Sequence, residues 1–129
     1  MTEIEKIINE AWEDKDNITQ NSDNKIISSI NKIIEDLDKG NIRVAEKIDN
    51  EWFTHQYIKK AIMLSFRINE MEALSGPYSS WYDKAHLLKG KTAGWNKEDF
   101  EKAGFRMVPN SPVRKGSYIA KNVVLMPCF

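Results

Sequence analysis

The sequence predicts an α+β protein: a helical N-terminal domain carrying one β-hairpin, followed by the truncated start of a parallel β-helix. Three observations predict it. Apolar residues recur at helical spacing in three segments before residue 70. A short alternating run around Asp49-Asn50 separates the second segment from the third. Near the end, Val113, Ile119 and Leu125 stand six residues apart. At 129 residues the chain has the size of one domain, or of one domain and a stub. With 41% hydrophobic and 29% charged residues it reads as globular rather than disordered.

The first segment opens on Thr2 and Glu5, a T-x-x-E capping box in which each side chain satisfies the other's free backbone donor. Ile4, Ile7, Ile8, Ala11 and Trp12 then follow the i, i+3, i+4, i+7, i+8 pattern of an amphipathic helix. Asp14 to Asn24 is polar and reads as a linker. A second helix starts at Ser22 or Asp23, both good caps. It carries Ile26, Ile27, Ile30, Ile33, Ile34 and Leu37 on one face and stops at Gly40. The short linker predicts an antiparallel pair.

Arg43 to Ile48 alternates, Asp49-Asn50 is a two-residue turn, and Glu51-Trp52-Phe53 returns as the second strand. Thr54 is placed to cap a third helix, from about His55 to Ile68. After Lys59-Lys60 that helix is apolar or small almost all round, which predicts a central, buried element. Glu70 to Gly94 has no clean period and contains Gly76-Pro77, Ser79-Ser80, Gly90 and Gly94. It reads as a long loop with one short strand around Trp81 to Leu88, and loops of this length are usually functional. Asn96 caps a short helix over Lys97 to Ala103, Gly104 ends it, and Phe105 to Val108 forms a short strand.

The final segment has a period of six with an aliphatic first position, the hexapeptide pattern of a parallel β-helix. Each hexad forms one face of a triangular coil, with its aliphatic residue pointing inward. Residues 1–109 thus read as the α+β domain and 110–129 as a first, incomplete coil. From Val113 only 17 residues remain, one short of three hexads, and repeat folds need neighbours to bury their faces. The expectation is an N-terminal piece of a longer protein, cut as the β-helix begins.

Composition limits the chemistry. One cysteine, Cys128, excludes an internal disulfide framework and a multi-cysteine zinc site. Two histidines, His55 and His86, are too few for a His-rich metal site. No run approaches the roughly 18 apolar residues of a membrane span, and the start opens no apolar leader, so the expected compartment is the cytoplasm. Net charge is zero but segregated. Residues 1–40 hold ten Asp or Glu against five Lys, a balance of −5, while residues 84–129 hold nine basic against three acidic, a balance of +6. A basic C-terminal third attracts a carboxylate, a phosphate or nucleic acid.

Two long words identify a resemblance. The first runs Arg43-Val44-Ala45-Glu46-Lys47-Ile48-Asp49, then Trp52, Thr54-His55-Gln56, Lys59-Lys60-Ala61 and Leu64 to Asn69. The second comprises Gly104-Phe105-Arg106, Val108-Pro109, Val113-Arg114, Gly116, Ile119-Ala120, Asn122 and Val124 to Pro127. Together they resemble the tetrahydrodipicolinate N-succinyltransferases of bacterial lysine and diaminopimelate biosynthesis. The resemblance covers the whole chain and departs at Ala85 to Trp95, where the family has a shorter, Pro-containing stretch.

The resemblance implies a left-handed β-helix after the helical domain, a homotrimer in the full-length form, and active sites between neighbouring β-helices. It implies transfer of succinyl from succinyl-CoA to ring-opened tetrahydrodipicolinate, with no metal, no resident cofactor and no covalent acyl-enzyme. Small molecules are then the ligands, and neither nucleic acid nor a membrane is a partner. Arg106 matches the family's substrate-binding arginine, and guanidinium can grip a carboxylate of the acceptor through two parallel hydrogen bonds. The expected acid–base groups lie downstream, so no residue of this chain is assigned as catalytic. His55 is read as a capping or packing residue, Lys59-Lys60 as a solvated face, and Trp52, Phe53, Trp81 and Tyr82 as core aromatics. Cys128 has no neighbouring cation in sequence to activate it. The alternative reading is a non-catalytic binding or assembly module built on the basic C-terminal third.

Overall fold

Three helices enclose the apolar core of the computed structural model, which describes residues 1–84 and 89–129. Helix α1 (Glu3–Glu13) begins with the expected capping box: the Thr2 backbone N–H donates to Glu5 Oε2 at 2.6 Å, and the Glu5 N–H donates to Thr2 Oγ1 at 3.3 Å. Helix α2 (Asn24–Asp38) is capped by Asp23, whose carboxylate accepts from the Lys25 N–H at 2.7 Å. It ends at Gly40 (φ +75°), where the Gly40 N–H donates to the Leu37 carbonyl and the Asn41 N–H to the Asp36 carbonyl. This pair of bonds is the Schellman arrangement, and it needs a residue that tolerates positive φ. Helix α3 (Gln56–Ser65) packs on both. Ile8 of α1, Ile30 of α2 and Ile58 and Leu64 of α3 are the largest fully buried side chains, each stabilising by about 1.5–3 kcal/mol.

Two details differ from the sequence reading here. Lys25, in the first turn of α2, bridges to Glu3, in the first turn of α1, at 2.8 Å. An eleven-residue helix is about 16 Å long, so a tight antiparallel hairpin would separate these two turns. The connection instead carries the chain back along α1, through a 3-10 turn at Lys15–Asn17 and the buried Ile18. Helix α3 is shorter than expected and is not apolar all round, because Met63 is exposed while Ile58, Ala61, Leu64 and Ser65 are buried.

Strands β1 (Ala45–Ile48) and β2 (Glu51–Thr54) form the expected antiparallel hairpin, with Ile48 opposite Glu51. Asp49 (φ 48°) and Asn50 (φ 72°) both take the left-handed region, the requirement of a type I′ turn. Thr54 lies within β2 and is not the cap of α3; that position belongs to His55, whose N–H extends the ladder to the Val44 carbonyl.

Residues 70–84 are not a loop. Strands β3 (Met71–Ser75) and β4 (Ser80–Lys84) pair antiparallel over five residues around the Gly76-Pro77 turn. The expected strand around Trp81 to Leu88 is thus found as far as Lys84, and its remainder lies outside the described residues. Helix α4 (Lys97–Ala103) is capped by Asn96 and ends on Gly104 (φ 77°), as its sequence predicts, and the structure adds a reciprocal bond from the Asn96 N–H to the Asp99 carboxylate.

The chain then forms β5 (Arg106–Met107), which pairs parallel with β6 (Val124–Leu125). Arg106 faces Val124 and Met107 faces Leu125. Between them the path is irregular, but its left-handed residues, Asn110, Gly116 and Asn122, continue a six-residue spacing that begins at Gly104, just before β5. Val113, Ile119 and Leu125 are half-buried. This segment rests on the end of α2: Gly116 lies under Ile34, and Tyr118 lies across Gly40.

Candidate functional site

Arg106 is positioned by the element before it. Gly104 stops α4, its N–H donating to the Phe100 carbonyl at 2.8 Å, and turns the chain into β5. Phe105 then points inward against Trp95 and Phe100, with ring centroids 5.7 and 6.0 Å away. Successive strand residues point to opposite faces, so burying Phe105 turns Arg106 outward. The backbone is held on both sides: the Arg106 N–H donates to the Val123 carbonyl and the Val108 N–H to the Leu125 carbonyl, each at 2.9 Å. Arg106 opens onto a groove of about 420 Å³ that it shares with Phe100, Glu101, Gly104, Asn122 and Val124. Among the described residues its guanidinium makes no ion pair. A cation held by its backbone and free at its tip can grip an oxyanion bidentately.

The other candidates lie elsewhere. His55 Nε2 donates to Glu46 Oε1 at 2.6 Å, and its ring sits edge-on between Phe53 and Tyr57. That is a packed, anchored imidazole, in line with the packing reading. It lines a recess with Arg43, Glu46 and Tyr57, separate from the Arg106 groove. Burial first, then the carboxylates of Glu5, Asp36 and Glu46, push the Tyr57 hydroxyl above the ordinary tyrosine value near 10. Stability tied to neutral Tyr57 is therefore complete below that ordinary value and is lost as pH rises through the folded value. Tyr57→Phe is expected to flatten the alkaline limb of stability against pH above about 10, as read by chemical denaturation at successive pH values. An unchanged limb would mean that Tyr57 ionises as freely as it does in the unfolded chain.

Lys60 donates to Asn9 Oδ1 at 2.7 Å and so joins α3 to α1, while Lys59 is solvated. Cys128 is exposed. The aromatic residues expected in the core are not there. Trp52, Phe53, Trp81 and Tyr82 are all exposed, on two-stranded ribbons that no third strand joins among the described residues.

Two arrangements escaped the sequence. One is a junction at Asp38, whose Oδ1 accepts from the Gly116 N–H and whose Oδ2 accepts from Lys91 Nζ, each at 2.8 Å. Lys91 Nζ also donates to the Asp38 carbonyl, and its side chain is only 7% exposed. The Lys91 N–H donates to the Val113 carbonyl, so this one carboxylate ties α2, the segment before α4 and the hexad segment together. The other is the set of left-handed residues at six-residue spacing. Their types, Gly-Asn-Gly-Asn, were a signal available in the sequence. No helix among the described residues is long and apolar enough to cross a membrane.

Comparison with known proteins bears on this arrangement. The chain is 69% identical over its whole length to the 2,3,4,5-tetrahydropyridine-2,6-dicarboxylate N-succinyltransferase of Pelagibacter ubique, of which it covers 47%. It is 48% identical to the same-named protein of Actinobacillus succinogenes and 45% identical to that of Yersinia enterocolitica, covering 46% of each. The chain thus spans about half the length of the curated relatives it matches. A family model described as the N-terminal part of tetrahydrodipicolinate N-succinyltransferase matches residues 3–68, the three-helix core with its first hairpin. By that match the chain belongs to the tetrahydrodipicolinate N-succinyltransferase N-terminal family.

Proposed function

We propose that the chain is the acceptor-gripping N-terminal part of an enzyme that moves succinyl from succinyl-CoA to the amino group of ring-opened tetrahydrodipicolinate. The observation that carries the reading is the pairing of Arg106 with Val124. Parallel neighbours 18 residues apart, with a left-handed residue at every sixth position, have the period of one three-sided hexapeptide coil. On this reading the first coil runs from Gly104, a few residues before the boundary at 109/110, and is the start of a left-handed β-helix. Arg106 holds a carboxylate of the dicarboxylate acceptor and orients its amine. The amine nitrogen attacks the thioester carbon, the carbon–sulfur bond breaks, and the amine's proton ends on the departing CoA thiol. The groups that carry that proton belong to later coils, and the working form is a cytoplasmic homotrimer with no metal and no resident cofactor.

The test is thiol release from succinyl-CoA by the full-length protein that carries this chain. Release that depends on the acceptor supports the reading, with none expected from the 129-residue chain alone. Acceptor-independent release, or turnover by the short chain, would overturn it.

A further inference from the structure

The Arg106 groove carries three polar side chains, Glu101, Arg106 and Asn122, beside the apolar Phe100 and Val124. Glu101 is engaged by Lys97, one helical turn away, at 3.5 Å. Asn122 is different. Its backbone is fixed next to Arg106: the Asn122 N–H donates to the Gly104 carbonyl at 2.7 Å, and the Arg106 N–H donates to the carbonyl of the following residue, Val123. Its side chain is exposed, and unlike the amides of Asn69 and Asn96 it makes no hydrogen bond among the described residues. Position 122 needs a residue that tolerates a φ of 65°, and glycine meets that need as well as asparagine. The amide is therefore surplus to the backbone, and it lines the same groove as a guanidinium that makes no ion pair among the described residues.

We propose that Asn122 is a second acceptor-binding residue, whose amide N–H donates to the carboxylate that Arg106 grips. A carboxylate offers about four lone-pair sites, and a two-pronged guanidinium takes two of them. The others need donors once the bound ligand displaces water from the groove. A neutral amide supplies one without the desolvation cost of a second cation, and Phe100 and Val124 suit the methylene chain of a dicarboxylate. A donor fixed on the neighbouring rung also narrows the poses that a lone exposed arginine allows, and so helps to orient the amine.

This inference rests on the acceptor grip proposed for Arg106, and its test reads binding apart from turnover. The full-length protein is titrated calorimetrically with pimelate, the unbranched seven-carbon dicarboxylate, and KM is measured for each substrate. Asn122→Gly keeps the backbone conformation and removes the amide. It is expected to raise the pimelate dissociation constant and the acceptor KM about 10-fold, with the succinyl-CoA KM and the urea midpoint nearly unchanged. Asn122→Asp, of almost the same shape, loses the donor and adds a like charge, so its loss should be larger. In an Arg106→Ala background Asn122→Gly should cost far less, because the two donors hold one group. Unchanged pimelate affinity in Asn122→Gly, or the same loss with and without Arg106, would overturn the role of Asn122. Acceptor-dependent turnover with either of those results would leave the proposed function standing, whereas wild-type protein that binds no pimelate would overturn the grip of Arg106 and Asn122 together.

Discussion

Asp38→Ala is expected to destabilise the chain by about 3 kcal/mol, the lower end of the range for removing one partner of a buried ion pair. The cause is what remains. Lys91 keeps its charge at 7% exposure with only the Asp38 carbonyl as acceptor, and the Gly116 N–H loses its partner. A shift of this size should be plain in the urea midpoint. Lys91→Met added to Asp38→Asn should recover part of the loss, since the buried charge is gone and the amide oxygen can still accept from Gly116. By contrast, Glu3→Ala should move the midpoint little, because the Lys25–Glu3 bridge is solvated on both sides. If Asp38→Ala behaved like Glu3→Ala, the junction would have no special role in stability.

Arg106→Ala should act on binding rather than on folding. Its guanidinium is exposed and makes no ion pair among the described residues, so little of the fold depends on it. A charge-assisted contact is worth about 1.5–3 kcal/mol, which corresponds to roughly 10- to 100-fold. In the full-length protein the KM for the dicarboxylate acceptor is expected to rise by that factor, with the KM for succinyl-CoA changing far less. Arg106→Lys should fall between, because an ammonium keeps the charge and loses the two-pronged geometry. Equal losses for both substrates would make Arg106 a structural residue, and steady-state kinetics with each substrate varied in turn decides the matter.

Local signals in the sequence were reliable where one residue type answers one backbone need. Thr2 with Glu5, Asn96 as a cap, and Gly40 and Gly104 after their helices all act where they were read. Asp49-Asn50 was legible for the same reason. Strand β3 was not, because Met-Glu-Ala-Leu-Ser is poor in β-branched and aromatic residues and is a strand through its pairing with β4. Aromatic density around Trp52 and Trp81 suggested burial, but burial depends on a covering layer that no local pattern reports. The Asp38 junction joins residues 53 and 78 positions apart, and an Asp and a Lys carry no mark of each other at that distance. The outward aim of Arg106 was not legible, since it is set by the burial of Phe105 beside it.

The pairing of Arg106 with Val124 also bears on how the molecule acquires its shape during synthesis. The closure entropy of a loop grows only with the logarithm of its length, so 18 residues close at modest cost. When Val124 leaves the ribosome, the three-helix core and its Asp38 acceptor are already available, since they precede it in the chain. The segment from Gly104 onward can therefore settle onto a finished surface, taking its first turn from Gly116 at Asp38 and its first rung from β5. Contacts so near in sequence favour rapid formation. The helical core thus serves the C-terminal segment as a mould that is complete before its casting is made, in the order of translation.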